Sequence, residues 1–572
     1  MTALVFFIGC AVLAAGYVFY GRWVAGWLGV DDSRKTPAHL LNDGVDYVPA
    51  HTPMLFGHHF SSIAGAGPIV GPIVAALWFG WLPALLWILV GAVLVGGVHD
   101  FSALIASIRH RGRSIGELCR SYLSPFTYRV FLAFIWFTLI YVLIVFLDLT
   151  AGTFAPGVLE DAEAVRIGGA TATASLLYIG IALVFGFTVA KGLLSFKTGS
   201  LIFVPLVFAA LFVGIQAPFE ATRLPAFIYG HPKYTWTLAL LAYCFAASIT
   251  PVWALLQPRD YLSSFLLYAC LIGGSAGLLI AGISGQAPAN YPRFLGLWRD
   301  ADTHTGFIFP LLFITVACGA VSGFHSIVAS GTSAKQLGRE SAAKPVAYGG
   351  MLVEGILALV AVAGIMLVTQ GDPVLKQHPT KLFAVGIGNF FNAFGVPQSA
   401  GVVFGLLAVS TFLLTTLDTG TRLSRFVFEE FFGLNNPRWR YLSTFVTLIL
   451  PAVIVFMRFR GPGGNIIPAW QKIWPVFGAT NQLLAAMALL VVFVWLAYRK
   501  RRKAFVFIPM VFMFVTTVTM LIMLIRDNLF AAGGQWLIGT ICLLLLVLAL
   551  CVVVDTVWHW SRIRAGEPTE TA

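Results

Sequence analysis

Ionisable side chains set inside long apolar runs are the residues of this sequence whose types and spacing point to chemistry. His58 and His59 open one such run, and His99 with Asp100 lies well inside the next. His325 and Glu354 lie inside two later runs, and Asp418 sits near the end of another, one helical turn before Arg422. A charge is costly in hydrocarbon, so each such group serves a function or is satisfied by a neighbouring helix. Three readings stand open. Histidine titrates near neutral pH and exchanges protons with carboxylates, which would make a proton relay of His58, His59, Asp100, His325 and Asp418. His58, His59, His99, Asp100 and His325 are also metal-ligand types, although no HExxH and no histidine pair at i, i+4 occurs. In the third reading each group is held by a neighbouring helix or by water. His58 and His59 are adjacent and point about 100° apart on a helix, so at most one faces a given site. Asp418 and Arg422 have the spacing of an i, i+4 ion pair. Asp148 stands alone near the end of its run.

Hydroxyls are dense in the run that holds His325. Ser330, Thr332 and Ser333 follow it closely, with Ser322 and Ser326 on either side. Hydroxyl oxygens can ligate a hard cation such as sodium. They can also be small-residue helix packing. Lys197, at the start of another run, is the one lysine placed to supply a fixed positive charge instead, and an anchor at the membrane surface accounts for it equally.

These residues must be positioned by membrane-spanning helices. Of 572 residues, 59% are hydrophobic and only 10% charged, against roughly 25% charged in soluble domains. A window of ~19 residues finds about fifteen spans and an all-α polytopic membrane protein. The runs lie near 2–20, 60–80, 82–108, 130–153, 172–190, 199–217, 236–257, 262–283, 306–330, 346–369, 400–421, 441–457, 475–498, 505–525 and 534–556. The net charge of +12 does not mean nucleic acid, because the Lys and Arg sit in short loops between the runs. The basic loops Arg109–Arg113 and Arg499–Lys503 belong on the cytoplasmic side. Alternation then places the N-terminus in the periplasm and the C-terminus in the cytoplasm of a bacterial inner membrane. Arg458, Arg460 and Lys472 fall outside in this scheme, around a Gly461–Gly464 segment that reads as re-entrant or interfacial. The seven cysteines show no paired spacing and read as small apolar packing residues. The first run lacks a basic leader and is read as a retained span.

Two spans are interrupted. The second carries Gly65, Ala66, Gly67 and Pro68, and the seventh carries Ser248, Thr250, Pro251 and Trp253. Proline removes a backbone hydrogen bond and clashes with the preceding turn. Freed backbone groups survive at membrane depth only where they line a cavity or are buried in protein. Paired Gly/Pro-interrupted spans in two halves mark the binding site of a transporter. Five spans from the second and five from the seventh have opposite starting sides. The spacing therefore predicts a five-plus-five inverted repeat with a broken first helix in each half. The expected units are 1–59, an N-terminal helix and cytoplasmic segment; 60–217 and 236–425, the two repeats; and 441–572, peripheral helices. Both broken stretches are expected to bind a small-molecule substrate. Backbone amides near Gly65–Gly67 would take a carboxylate, since few cationic side chains lie deep in the spans.

Several motifs together resemble the carbon starvation protein A family. They include Asn42–Pro49, Phe56–Phe60, Ile63–Pro68, Gly112–Glu117, Pro251-Val252-Trp253 with Gln257–Leu262, Ala317–His325, Tyr348–Met351, and Leu417–Thr419 with Thr421 and Arg422. The resemblance implies uptake of pyruvate or short peptides, and it implies the inverted-repeat architecture. The combined expectation is secondary active transport by alternating access, coupled to H+ or Na+ and using no cofactor. The competing expectation from another class is a membrane-embedded metal-dependent enzyme or sensor built on the His/Asp cluster.

Overall fold

The computed structural model describes residues 1–43, 47–155, 161–251, 254–300, 305–434, 436, 438–460, 466–531 and 534–564. Trp253 and the Gly461–Gly464 segment lie outside these residues. Helices make up nearly all of the rest. Strands among the described residues form two short antiparallel hairpins, Trp298–Asp300 with Thr305–Phe307 and Phe459–Arg460 with Ile466–Ile467.

The first span is α1 (Thr2–Leu28). The second is two helices, α2 (Thr52–Ile63) and α3 (Gly67–Phe79), bent by 48° at Ala64–Ala66. Then come α4 (Trp81–Arg109), a short α5 (Ile115–Tyr122), α6 (Pro125–Phe154), α7 (Ala162–Ala190) and α8 (Phe196–Gln216). Starts are written locally. Ser114 caps α5 by accepting from the Glu117 amide at 3.2 Å, and Ser124 accepts from the Thr127 amide at 3.1 Å just before Pro125 opens α6. The chain continues through α9 (Lys233–Ile249), α10 (Leu256–Ile283), α11 (Ile308–Thr315), α12 (Gly323–Gly331) and α13 (Glu340–Met366). It ends with α14 (Pro379–Asn392), α15 (Gln398–Phe432), α16 (Trp439–Phe456), α17 (Ala469–Tyr498), α18 (Ala504–Phe530) and α19 (Trp536–Arg564). Among the described residues, twelve helices are long and apolar enough to cross a membrane, and the bent α2–α3 pair makes thirteen. Of the runs expected from hydropathy, 236–257 is the 17-residue α9. The run 306–330 is two helices of 8 and 9 residues, α11 and α12.

The first interruption falls where the glycines and Pro68 place it. Pro68 lacks an N–H and suits the opening turn of α3. The glycines allow close approach. A Cβ at Gly67 would collide with the Cβ and Sγ of Cys318, and one at Gly71 with the carbonyl oxygen of Thr315.

The second interruption lies elsewhere than expected. Thr250 is extended (φ −75°, ψ 145°), as steric pressure from the following Pro251 favours, and α9 stops at Ile249. The chain restarts as a separate span, α10. The Ser248–Pro251 stretch is therefore a connection between two spans, not the unwound middle of one. The second mid-span interruption is at 316–322, between α11 and α12. The two interrupted spans cross each other antiparallel, α2 against α12 and α3 against α11.

Around this crossing, α3 packs on α13, α12 on α4, α10 on α2, and α17 on α12. Outside it α6 packs on α15, and α9 and α16 each lie against both. The α7–α8 hairpin rests on α15, and α7 reaches α10. Burial separates core from periphery. The apolar windows of α13, α15 and α17 are 89%, 94% and 94% buried, those of α1, α8 and α19 only 28%, 28% and 33%. The apolar surface of the latter set suits lipid contact.

Candidate functional site

Helices packed at the crossing bring three of the membrane-embedded ionisable groups to one place. Asp100 projects from α4, His325 from α12 and Glu354 from α13, and all three are fully buried. His325 Nδ1 lies 2.8 Å from Asp100 Oδ2, and its Nε2 lies 3.2 Å from Glu354 Oε2. His99 Nδ1 lies 2.7 Å from the other oxygen of Asp100. His325 bonds Asp100 through Nδ1, while Glu354 stands within ion-pair reach of Nε2 without making a hydrogen bond to it, so His325 is placed to be an imidazolium between two carboxylates. Two carboxylates and one imidazolium leave the trio at net −1. A second proton, on a carboxylate, makes it neutral, and burial favours neutrality. The arrangement can therefore take up and release a proton.

Other expected residues distribute around this centre. His59 is buried, and its Nδ1 lies 2.8 Å from Ser333 Oγ, which links α2 to the segment after α12. His58 points away, as adjacency requires, with Nδ1 3.8 Å from Asp260 Oδ2. Ser330 donates to the Ser326 carbonyl at 2.6 Å and accepts from the Ile115 amide at 3.0 Å. Thr332 donates to the Val328 carbonyl at 2.8 Å. The hydroxyls considered for a cation are thus engaged with the backbone or with His59. Lys197 is exposed at the start of α8. Among the described residues, no group of three or more His, Cys, Asp or Glu is arranged to hold a metal ion.

Asp418 does not pair with Arg422. Both of its oxygens accept from Arg259, with Nη2–Oδ1 at 2.9 Å, and Tyr243 donates to Oδ2 at 2.9 Å. Arg259 Nη2 also donates to Asp260 Oδ1 at 2.7 Å. Arg422 instead donates to the carbonyls of Ala247, at 2.8 Å, and Thr250. One turn of helix allows the i, i+4 pair, but Arg259 on α10 approaches from the side with both guanidinium ends. Nor is Asp148 alone: it lies 2.6 Å from Lys233 Nζ and accepts from the Trp470 amide at 3.0 Å.

Gly65, Ala66, Gly67 and Pro68 are all buried. Gly65 faces Thr416 and Phe146, and Gly67 faces Cys318. Ser248 and Thr250 are held elsewhere. Ser248 Oγ is 3.2 Å from Thr444 Oγ1, and its carbonyl accepts from Arg425 at 2.8 Å. Together with Pro251 they line a separate cavity whose walls do not include Gly65–Pro68.

Two buried polar residues that order these helices escape sequence reasoning. Arg259 is completely buried in α10, though its Gln257-Pro258-Arg259-Asp260 setting reads as the tail of a broken span. Asn481, from α17, accepts from the Phe324 amide at 3.0 Å and from Ser322 Oγ at 3.3 Å, which caps the start of α12. Its signal is the Thr480-Asn481-Gln482 triplet in an otherwise apolar run.

Residues 1–374 and 368–520 match the family model "Carbon starvation protein CstA". The "Peptide transporter CstA" of Bacillus subtilis is 32% identical over 96% of this chain and 96% of its own. The "Pyruvate/proton symporter BtsT" of Escherichia coli is 30% identical over 86% of this chain and 77% of its own. Among solved structures, a manganese transporter of Eremococcus coleocola aligns over 92% of this chain and 99% of its own, at 13% identity and a TM-score of 0.44.

Proposed function

Because the chain belongs to the carbon starvation protein CstA family, we propose that it imports pyruvate or short peptides by alternating access, coupled to protons. It is a transporter of the bacterial inner membrane and not an enzyme, which sets aside the metal-dependent enzyme or sensor. The single observation behind proton coupling is His325, buried between Asp100 and Glu354 at 2.8 and 3.2 Å. Loading the trio with its second proton removes a net charge from a site without water contact, and that lowers the cost of any rearrangement around it. Sodium finds fewer free oxygens, since Ser330, Thr332 and Ser333 are already bonded.

The substrate site proposed is the crossing of the two interruptions, Ala64–Ala66 and 316–322. The N-terminus of α3 would take a carboxylate there through the amides near Gly67. Pairings of helices support an inverted repeat with revised limits. The pair α2–α3 followed by α4, α6, α9 and α10 corresponds to α11–α12 followed by α13, α15, α16 and α17. In that scheme α3 on α13 mirrors α12 on α4, α10 on α2 mirrors α17 on α11, and α9 mirrors α16 across α6 and α15. The α7–α8 hairpin is then an insertion in the first repeat. The N-terminus lies outside, with Arg109–Arg113 and Arg499–Lys503 in the cytoplasm.

Uptake of labelled pyruvate and of a labelled dipeptide into proteoliposomes tests this reading. An acidic exterior accelerates wild-type uptake. Glu354→Gln keeps counterflow exchange and loses the response to the pH gradient. Uptake driven by a sodium gradient and indifferent to pH would overturn the coupling.

A further inference from the structure

The ends of α4, α15 and α17 share one face of the molecule. His110, just past α4, lies 2.6 Å from Tyr122 of α5 and packs on Trp495 of α17, while Tyr128 near the start of α6 donates to Glu430 of α15 at 2.5 Å. On this face a cavity of about 290 Å³ opens between the end of α9 and the last turns of α15. Its charged walls are Arg422, Arg425, Arg440 and Glu429, three cations against one carboxylate. Ile249, Phe426 and Leu434 supply an apolar side.

Two of the arginines hold the carbonyls that end α9. Arg422 bonds Ala247 and Thr250, and Arg425 Nη1 bonds Ser248 at 2.8 Å. That duty does not exhaust Arg425. The residue is only 6% exposed, and its Nε–H has no hydrogen-bond partner. Glu429 Oε1 stands 3.8 Å from that nitrogen, beyond hydrogen-bond length. A buried guanidinium N–H without an acceptor is costly; this one is enclosed beside the cavity, which Arg425 lines together with two further cations. Arg440 stands exposed at the rim, over the Tyr441 ring.

We propose that this cavity binds a phosphate group, that of an anionic lipid headgroup on the basic face of the membrane. Phosphate accepts from several guanidinium groups at once, and basic pockets between helices on the cytoplasmic side are suited to lipid headgroups. The volume exceeds what one phosphate fills. Phe426, Leu434 and Ile249 in its walls suit the acyl end of a phospholipid rather than a free ion. The site is separate from the Asp100–His325–Glu354 centre and does not depend on the transport reading.

The test is binding to purified full-length protein in detergent, measured by native mass spectrometry. The probes are phosphatidylglycerol, phosphatidylcholine and inorganic phosphate. Phosphatidylglycerol binds saturably and phosphatidylcholine does not. Arg440→Gln, at an exposed position, weakens phosphatidylglycerol about fivefold, as the loss of about 1 kcal/mol per cation implies. Glu429→Gln tightens it, a gain that misfolding does not imitate. Competition by inorganic phosphate identifies a site that also takes the free oxyanion, and no competition identifies a headgroup site. Equal binding of the two lipids, or phosphatidylglycerol binding unaltered in both variants, overturns the proposal.

Discussion

Gly67→Ala is the sharpest perturbation of the crossing between the two interrupted spans. The added Cβ would fall within 3.0 Å of both Cβ and Sγ of Cys318, a distance real Cβ atoms essentially never show, while Cys318 Cα would stay at 3.7 Å. Rotating the thiol moves Sγ but not Cβ, so the α2–α3 and α11–α12 breaks must part. Overpacking of this kind costs about 1–3 kcal/mol. At ~1.4 kcal/mol per factor of ten, the packed crossing loses about five- to a hundredfold in population. Uptake into proteoliposomes should fall by a comparable factor, and the thermal midpoint should drop. Second-site changes separate the atoms responsible. Gly67→Ala with Cys318→Gly leaves ordinary contact at 3.7 Å and restores both readouts. Gly67→Ala with Cys318→Ala retains the offending Cβ and does not. Equal rescue by both partners, or normal uptake by the single variant, would refute the reasoning.

Other substitutions read the neighbouring contacts. Asp418→Asn strands the fully buried Arg259 charge with only Asp260 to offset it. A loss of about 3–5 kcal/mol is expected from breaking a buried pair, seen as a lower thermal midpoint that Arg259→Met with Asp418→Leu largely restores. Asn481→Leu removes the acceptor for the Phe324 amide and Ser322. About 1–3 kcal/mol of stability is lost, and uptake falls more than for Thr480→Ala, whose hydroxyl bonds only within its own helix. Lys197→Gln alters an exposed residue at the start of α8. Proton-driven uptake continues at the wild-type rate, and its loss would return Lys197 to the coupling site.

Much of the architecture is legible along the chain because a bilayer imposes a local rule. Each span must satisfy its own backbone and present apolar side chains, so runs of about twenty residues show directly. The break at Gly65–Pro68 is legible for the same reason, since proline and glycine act on their own turn. The second break is not. Pro251 looks like an interruption, but proline ends a helix as readily as it unwinds one, and only the separate course of α10 distinguishes the two. The 316–322 segment carries no proline, and its unwinding depends on Cys318 meeting Gly67 and Asn481 capping α12.

The same division holds for the charged groups. Composition and spacing alone select His58, His59, Asp100, His325 and Asp418 as residues that need a reason to be in the membrane. Their partners come from tertiary structure: Asp100 and Glu354 meet at His325, His59 meets Ser333, and Asp418 meets Arg259 rather than Arg422. The cost of an ionisable group in hydrocarbon is a property of the residue, so the sequence states it. What satisfies that group lies up to some 320 residues away along the chain, as between Asp148 and Trp470, and only helix packing brings the two within hydrogen-bond reach.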